Sequence, residues 1–518
     1  MKTKTFEIES STLFSESLIW ELNRNFYHEN GIAAFSDEMV PHNVTNNSKC
    51  ARTYANLIFA LLQDISLEEN LDEPVYILEL GAGHGRLSFQ ILKHLQKLVN
   101  ASVEKLPNYC YILSDIVDEN LTFFLDHPQL QEYFQKGMLD VAYFDSSSTV
   151  KLDLRYNKSS IHPGQLSQPI VVVANYFFDS IPNELLYFKH NEVSSCSVAI
   201  NSDINPNGMD AEEMIDNMSF VFSKSISKLP IYESEILNDI LDDYRKLLKE
   251  SFIFFPKLAM QCLGNIEKFS SAGMMLLTMD KGFHEINNLK NKNVPEIITH
   301  GSFSIWVNFH ALCAYCLKKG GKIFFPSFSN FHFEIGCLLF FNESENFQHV
   351  ERAYEQSVND FGPDDFNSIK QLAYGNVAKL NLIELIALYR LGIYDSSFFI
   401  RLLPRLKQLI KTISLEERTR LAQTMDLTWD MYFHISESFD LAYEIAGLYF
   451  DLGYYEKALI YFKRSNDIFG LKPDVFYNQA LCYYQLRQDK KFHETVMNAK
   501  ASFPNSKLYK KLDLLDMA

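Results

Sequence analysis

Short apolar runs that end in polar residues alternate with amphipathic segments in the first part of the chain. Val75–Leu80 ends in glycines and precedes a stretch with helical spacing of apolar residues, 86–98. Three similar apolar runs follow: Tyr109–Leu113, Leu139–Phe144 and Ile170–Ala174. Strands that alternate with helices in this way predict a parallel sheet covered by helices on both faces.

The segments that flank this alternation have different patterns. Apolar residues recur at helical spacing in 14–27 and 50–62, with a polar, turn-rich stretch between them at 40–47. After Pro182, the segments 184–189 and 195–200 predict a hairpin through His190 and Asn191. The other expected elements are helices at 231–250 and 254–269, a buried strand at 274–279, and an antiparallel sheet edge from 322–325 and 334–341.

From about residue 345 the pattern is helical, and part of it repeats. Ala446, Tyr449 and Leu452 recur as Ala480, Tyr483 and Leu486, close to the ~34-residue period of tetratricopeptide repeats. The second copy has Arg487 where the first has Gly453, and about three copies are usually needed for a stable stack. The alternative interpretation is a helical bundle without repeats.

These patterns together predict an α/β protein. We expect a Rossmann-like sheet with helical insertions, followed by an all-α helical-repeat domain. The predicted divisions are a helical cap at 1–70, a catalytic domain at 71–345 with an inserted substrate region at about 183–270, and the helical domain at 346–518.

Composition narrows the classes of function. The chain has 518 residues and a formal net charge of -17, which disfavours nucleic acid as a partner because phosphate binding requires clustered Lys and Arg. The segment 1–11 has no apolar run typical of a signal peptide, and no later stretch is long enough to span a bilayer. We therefore expect a cytoplasmic protein with no membrane partner.

The eight cysteines do not form a disulfide framework in a chain of this length. Cys313 and Cys316 are the one close pair, on the predicted helix 307–319. Together with His310 they could form a redox or metal site. Packing on an apolar helix face is the alternative, and we expect no metal.

The most informative segment is Glu79-Leu-Gly-Ala-Gly-His-Gly85, at a strand-to-helix turn. Glycines there let the backbone approach a ligand, and the helix N-terminus offers free N–H groups. Arg86 and Leu87 stand where a phosphate-binding P-loop needs Lys and Ser or Thr, and Arg86 also replaces the third glycine of a dinucleotide fingerprint. The Glu79 carboxylate would repel a pyrophosphate but attract the ammonium and sulfonium of S-adenosyl-L-methionine (SAM).

The loop therefore predicts SAM as the cofactor. The candidate cofactor-binding residues are Glu79, Gly81, Ala82, Gly83, Gly85, Asp115 and Asp145. Asp115 ends the second strand, where an acid can accept both ribose hydroxyls, and Asp145 follows the third strand, where it could accept from the adenine amino group. A solvated loop acid is the alternative for each aspartate.

The fourth strand ends in Asn175-Tyr-Phe-Phe-Asp-Ser-Ile-Pro182, at the sheet edge where α/β proteins bind ligands. Methyl transfer requires an aligned acceptor and the exclusion of water. Asn175 and Asp179 are the candidate catalytic residues, because their polar groups can orient a substrate nitrogen or oxygen. Tyr176 and Phe177 are candidate substrate-contact residues, with simple core packing as the alternative.

These two motifs resemble those of the MidA-like methyltransferases, a family of class I SAM-dependent enzymes. It includes the mitochondrial complex I assembly factor that methylates arginine. Three looser segments resemble the family in the same order: Val44-Thr-Asn46, Met279-Asp-Lys-Gly282 and His300–Phe309. In the segment that corresponds to Asn175–Pro182, called the box below, the family has Glu where this chain has Tyr176. The late segment, His300–Phe309, lacks the family's acid and threonine. The resemblance implies methyl transfer to a protein side chain, with arginine as one possibility, and tetratricopeptide-like tails occur on related bacterial enzymes.

We therefore expect a methyltransferase that modifies a protein, with its helical tail recruiting the target or a partner. Two alternatives remain open at this stage: a non-catalytic adaptor with a SAM fold, and a small-molecule methyltransferase.

Overall fold

A computed structural model describes residues 5–36, 40, 44–66, 73–227, 229–295, 297–300, 302–327, 333–341 and 347–506. Residues 41–43 of the predicted turn, Gly301 of the late family-like segment, and 346 and 507–518 of the predicted helical domain lie outside the described residues. The chain divides into two compact units, 1–367 and 368–518. The predicted subdivision at residues 70 and 345 stays a prediction.

The strands in chain order are β1 (Phe6–Leu13), β2 (Val75–Leu80), β3 (Tyr109–Asp115), β4 (Leu139–Tyr143), β5 (Leu152–Leu154), β6 (Ser159–Ile161), β7 (Ile170–Asn175), β8 (Glu184–Lys189), β9 (Glu192–Ser202), β10 (Met218–Ile226), β11 (Glu250–Phe255), β12 (Met274–Lys281), β13 (Ile298–His300), β14 (Ser302–Ser304), β15 (Lys322–Phe324) and β16 (Phe333–Phe340).

The helices of the first unit are α1 (Leu18–Asn30), α2 (Ala33–Ser36), α3 (Ser48–Ile65), α4 (Arg86–Ala101), α5 (Asp118–Asp126), α6 (Gln131–Gln135), α7 (Ala211–Asp216), α8 (Glu235–Leu247), α9 (Lys257–Glu267), α10 (Phe309–Lys318) and α11 (Gln348–Tyr354). The later helices are α12 (Pro363–Asn376), α13 (Leu382–Leu391), α14 (Ser396–Leu409), α15 (Leu415–Met431), α16 (Leu441–Asp451), α17 (Tyr455–Phe469), α18 (Pro473–Gln485) and α19 (Asp489–Ser502).

The central sheet has the strand order β15-β16-β12-β7-β2-β3-β4-β5-β6. Five neighbouring strands of this sheet run parallel to one another: β4, β3, β2, β7 and β12. Strand β16 is antiparallel to both β12 and β15. Strands β3 and β7 are buried along their whole length, as expected of parallel strands covered on both faces. The predicted parallel sheet with an antiparallel edge is confirmed.

The order of the strands fixes where a ligand can bind. The chain begins the sheet at β2, moves outward through β3 and β4, and then returns to place β7 on the other side of β2. In open α/β sheets, such a reversal leaves a crevice at the carboxyl ends of the two strands. The crevice here lies between the ends of β2 and β7, which are the two positions that carry the glycine loop and the Asn175–Pro182 box.

A second, antiparallel sheet is built mainly from the inserted region. Strand β9 pairs with β1, β8 and β10, and β8 also pairs with β11. The predicted β8–β9 hairpin is confirmed, and its turn residues His190 and Asn191 have φ of 50° and 64°, as two-residue hairpin loops require.

Three strands of this second sheet differ from the sequence prediction. Strand β1 was not expected in the predicted helical cap, and β10 and β11 were not expected in the insertion, which is therefore less helical than predicted. Residues 251–255 of β11 are buried and three of them are phenylalanines, and Pro256 separates the strand from α9. The predicted helices at 231–250 and 254–269 therefore contract to α8 and α9.

The C-terminal unit is all-helical among its described residues, as predicted. Helices α16 to α19 pack consecutively against one another. Gly453 follows α16 with φ of 83°, and Arg487 occupies the corresponding place after α18 with φ of 54°. Arginine adopts that conformation at a cost that glycine avoids. The second copy thus keeps the turn of the first although it lacks its glycine.

Candidate functional site

A cavity of about 460 Å³ lies at the carboxyl ends of β2, β3, β7 and β12. The predicted site residues that line it are Glu79, Gly81, Ala82, Gly83, Asp115, Asn175, Tyr176, Phe177 and Asp179. Two predicted residues, Gly85 and Asp145, do not line it. The cavity therefore joins the two sequence motifs at the crevice that the strand order creates.

The glycine loop is held in a narrow shape that admits no side chain. Gly81 and Gly83 have φ of 64° and 58°, values that L-residues with side chains rarely adopt. A Cβ atom added to Gly81 would lie 3.2 Å from the Phe177 ring, and one on Gly83 would lie 3.1 Å from the Phe35 ring. Both glycines are thus required by backbone conformation and by the aromatic rings beside them.

Gly85 has a different task from the one predicted. It precedes the first residue of α4 with φ of 75°, and an added Cβ would lie 2.9 Å from the Phe124 ring of α5. Because Gly85 faces this packing contact, its role in the structure is to allow the close approach of α4 and α5.

Glu79 is a buried carboxylate at the end of β2. Its Oε2 accepts hydrogen bonds from the Ser88 hydroxyl and from the Tyr111 hydroxyl, the latter at 2.8 Å. Burial raises the pKa of Glu79 to about 7, against the lowering effect of these two hydrogen bonds. Oε1 takes no part in either bond, and Glu79 lines the cavity. A cation placed there would stabilise the ionised carboxylate.

Asp115 connects the second strand to the glycine loop. Its Oδ2 accepts from the Gly83 N–H and its Oδ1 from the Val117 N–H, both at 2.9 Å. Burial raises the pKa of this carboxyl, although the backbone hydrogen bonds oppose the change. The aspartate therefore fixes the loop while it lines the cavity, and its predicted contact with the ribose stays a prediction.

The Asp145 carboxylate is bonded to other residues of the protein. Its Oδ2 forms an ion pair with the Arg24 guanidinium at 3.0 Å, and its Oδ1 accepts from the N–H and the hydroxyl of Ser147. Arg24 of α1 lines the cavity, whereas Asp145 lies behind it. The structure therefore places Arg24, rather than the predicted carboxylate, at the cavity wall.

Asn175 joins the box to the segment Val44–Asn46. Its Nδ2 donates to Thr45 Oγ1 at 3.0 Å and to Asn46 Oδ1 at 3.1 Å, and its Oδ1 accepts from the Tyr54 hydroxyl at 3.3 Å. Both amide hydrogens are therefore used within the protein. The geometry gives Asn175 a positioning task, and its predicted catalytic role stays a prediction.

Tyr176 has an unusual backbone conformation. Its φ of 49° lies in the left-handed region although it is not glycine, which costs about 1–3 kcal/mol. The Tyr176 N–H donates to the Met279 carbonyl at 3.0 Å, so the strained residue is held against β12. Such strain often marks functional sites, and here the Tyr176 ring lines the cavity beside Phe177.

Asp179 is the acid on the box side of the cavity. It is 3% exposed, and its Oδ1 accepts from the Ser180 hydroxyl at 2.8 Å. Burial raises its pKa, while the nearby Lys281 ammonium and the Ser180 hydrogen bond oppose that change. The neighbouring Asp280 is fully buried, and burial together with the charge of Asp179 raises its pKa far above the usual range.

Several cavity residues were not singled out from the sequence. Helix α1 contributes Trp20, Glu21, Asn23, Arg24 and Tyr27, and the others include Phe35, Lys281, Ser302, Phe303 and Ser304. The spacing of the α1 residues places them on one helix face, and polar Asn23 and Arg24 among apolar neighbours were a signal that could have been used.

Asn23 holds this part of the wall together. It donates to the Ser180 carbonyl at 3.4 Å and accepts from the Phe303 N–H at 3.1 Å. It therefore ties α1 to both the box and β14.

The five segments of the family resemblance all reach this cavity. The segment at 44–46 contributes Asn46, that at 279–282 contributes Lys281, and the late segment contributes Ser302, Phe303 and Ser304. The two more specific motifs supply the remaining predicted lining residues.

Cys313 and Cys316 lie on α10, and both are buried. None of the eight cysteines is disulfide-bonded. Burial raises the pKa of the Cys316 thiol to about 12, which makes a reactive thiolate unfavourable. No group of three or more potential metal ligands occurs among the described residues. The burial of Cys313 and Cys316 agrees with their packing in the protein interior.

Comparison with known proteins adds the identity of the cofactor. Residues 55–295 match the model of a family described as "Putative S-adenosyl-L-methionine-dependent methyltransferase". SAM, predicted from the glycine loop, is the cofactor of this methyltransferase family. The match covers the sheet from β2 to β12, with the glycine loop and the box. No protein of curated function matches the chain.

Two solved structures from Burkholderia thailandensis resemble the chain in part. One is an uncharacterized protein with 13% identity and a TM-score of 0.39. The other, a member of the same superfamily bound to S-adenosyl-homocysteine, has 12% identity and a TM-score of 0.40. Each likeness covers 65% of this chain and 90% of the other.

In the described part of the chain, no helix combines the length and apolar character needed to cross a membrane.

Proposed function

We propose that the chain transfers a methyl group from SAM to a nitrogen of a protein side chain, and that its helical C-terminal unit recruits the target or a partner. The observation that carries the proposal is a single cavity with the glycine loop, Glu79 and Asp115 on one side and Asp179 on the other. The proposed cofactor site and the proposed proton acceptor therefore line one cavity.

The residues of the cavity fit SAM. Glu79 Oε1 would hold the methionyl ammonium, and Asp115 would accept from the ribose where its carboxylate meets the loop. Gly81 and Gly83 allow the loop to keep its conformation against the Phe177 and Phe35 rings while it lines the cavity. When bound, SAM supplies an electrophilic methyl group. Every other task in the reaction falls to residues of the chain.

Those tasks are alignment of the acceptor, exclusion of water and removal of a proton. The rings of Trp20, Phe35, Tyr176 and Phe177 line the cavity and exclude water from it. Asp179 is buried beside them, and its raised pKa makes the carboxylate a better proton acceptor than an exposed aspartate. It is the residue we propose to receive the proton of the acceptor nitrogen.

The size of the cavity supports a side chain as the acceptor. Ligand pockets commonly measure about 300–1,000 Å³, and this one measures about 460 Å³. A cofactor of the size of SAM fills most of that space, which leaves room for a slender group rather than for a second bulky molecule. Arginine, which the family resemblance implies, is one side chain of this shape.

The helical unit is the proposed docking module for a protein. The turn shared by Gly453 and Arg487 supports a repeat of helix pairs, and such repeats present extended surfaces to proteins. The net charge of -17 gives no support to a nucleic-acid partner. Eight cysteines without disulfide bonds agree with a reducing compartment such as the cytoplasm.

Changing Asp179 to asparagine tests the proposed reaction. We expect methyl transfer to fall at least 100-fold while the Kd for SAM changes less than threefold, because the amide cannot accept the proton. The measurement is incorporation of tritiated methyl from SAM into the protein fraction of a cell extract, with calorimetry for the cofactor. In the wild type, incorporation should fall as the pH falls toward the raised pKa of Asp179.

The control is Asp203→Asn, at an exposed aspartate. Label that appears only in small molecules would replace the proposal with a small-molecule methyltransferase. An absence of label despite normal SAM binding would favour the non-catalytic adaptor. Equal losses of transfer and of SAM affinity in Asp179→Asn would move this residue to the cofactor site.

A further inference from the structure

Lys281 is a charged cavity residue that the proposed reaction does not use. It ends β12, and its Nζ lies 5.8 Å from the centre of the Tyr176 ring. Within the described residues, no hydrogen bond or ion pair within 4.0 Å engages this ammonium. Its backbone is fixed, because the Val307 N–H donates to the Lys281 carbonyl at 2.8 Å and the Lys281 N–H donates to Asp280 Oδ1 at 2.7 Å.

Asp179 lines the same cavity and keeps part of its accepting capacity. The Ser180 hydroxyl uses one carboxylate oxygen, Oδ1. Burial raises the pKa of Asp179 and the Lys281 ammonium partly opposes that rise, yet the two side chains form no ion pair within 4.0 Å. The Lys281 ammonium and the Asp179 carboxylate therefore line one cavity without bonding to each other.

Asp280, Tyr27 and Tyr176 lie near this pair, and none of the three balances the charge of Lys281. Asp280 is adjacent in the strand, so its side chain points to the opposite face of the sheet. Burial and the charge of Asp179 raise its pKa far above the usual range, which favours its uncharged form. Tyr27 and Tyr176, which line the same cavity, also have raised pKa values because of burial. Both tyrosines are therefore neutral.

We propose that Lys281 determines the specificity of the acceptor site, which takes a carboxamide of glutamine or asparagine rather than a guanidinium. The carboxamide oxygen accepts from Lys281 Nζ, and its NH₂ group donates to Asp179. A guanidinium has only donors and a positive charge, so Lys281 repels it. This inference rests on the proposed function and specifies the acceptor of the same cavity.

Binding of two small probes to the full chain, saturated with S-adenosyl-homocysteine, tests the inference. The probes are N-acetylglutamine methylamide and N-acetylarginine methylamide, titrated by NMR. In the wild type we expect the glutamine probe to bind at least tenfold more tightly. Lys281→Met should remove that preference, and Lys281→Arg should retain it because the cation and its donors remain.

The matched control is Lys292→Met, because Lys292 also lies over an aromatic ring, that of Phe283 at 4.3 Å, but does not line the cavity. It should leave both affinities unchanged. Equal or tighter binding of the arginine probe to the wild type would overturn the inference. The same follows if Lys281→Met keeps the preference or if neither probe binds. Failure to bind S-adenosyl-homocysteine would instead refute the proposed function.

Discussion

Replacement of Gly83 by aspartate is expected to weaken SAM binding by about 100-fold or more, which corresponds to ~2.7 kcal/mol. The new side chain must adopt φ near 58° and would meet the Phe35 ring, 3.1 Å from the Cβ position. Its carboxylate would also stand close to Asp115, which accepts from the Gly83 N–H at 2.9 Å. The loop would be pushed from the shape that admits the cofactor. Calorimetric titration with SAM measures the loss.

Gly137→Asp is the matched control. Gly137 also has a positive φ, 67°, but no atom lies within 4 Å of its Cβ position. It lies between α6 and β4, away from the cavity. This variant should bind SAM as the wild type does, and circular dichroism should show that both variants are folded. Normal SAM binding by Gly83→Asp would contradict the placement of the cofactor at this loop.

Glu79→Gln is the second replacement with a large expected effect. We expect SAM affinity at pH 8 to fall at least tenfold, because the amide cannot provide the charge that balances the cofactor ammonium. It can still accept the hydrogen bonds from Ser88 and Tyr111. The unbound variant should be at least as stable as the wild type at pH 8, because no buried carboxylate then has to ionise. Calorimetry and thermal unfolding measure the two effects.

The pH dependence of SAM affinity provides a second test of the role of the Glu79 carboxylate. In the unbound protein, burial raises the pKa of Glu79 to about 7, so the carboxyl is protonated below that pH. A bound ammonium favours the ionised form, and binding therefore releases a proton below pH 7.

Wild-type affinity should thus fall as the pH is lowered from about 7 to 5.5, by up to tenfold for each unit. In Glu79→Gln this dependence should disappear. Glu132→Gln, at an exposed glutamate of α6, should keep it. A wild-type affinity that does not change over this range would exclude Glu79 as the partner of the ammonium.

The central sheet could be predicted because its strands are continuous apolar runs. Val171 to Val173 must be buried on both faces, and a run of this kind has few alternatives. The glycine loop was visible for a similar reason: conformation and space admit only glycine at Gly81 and Gly83.

The second sheet was harder to predict because two of its strands, β1 and β10, contain no fully buried residue. In β10, partly buried Phe220 and Phe222 alternate with exposed residues, and the last four residues of the strand are all exposed. Pairing with β9, which is set by tertiary contacts, decides that such a segment is a strand. Local pattern therefore gave no firm prediction for β10.

The details of the site depend on contacts between distant parts of the chain. The ion pair of Asp145 with Arg24 and the hydrogen bond of Asn175 to Thr45 join residues more than 100 positions apart. The identity of Asp145 suggested a ligand-binding acid, but only the fold shows that Arg24 already occupies it. Lys281 was missed for the same reason, since its importance depends on the distant Asp179.

Calorimetric titration of the full chain with SAM, and separately with S-adenosyl-homocysteine, tests the central claim most directly. The claim predicts one site per chain with a Kd in the micromolar range, a dependence of SAM affinity on pH below 7, and loss of binding in Gly83→Asp but not in Gly137→Asp. Absence of binding to both compounds by the folded wild-type protein would contradict it.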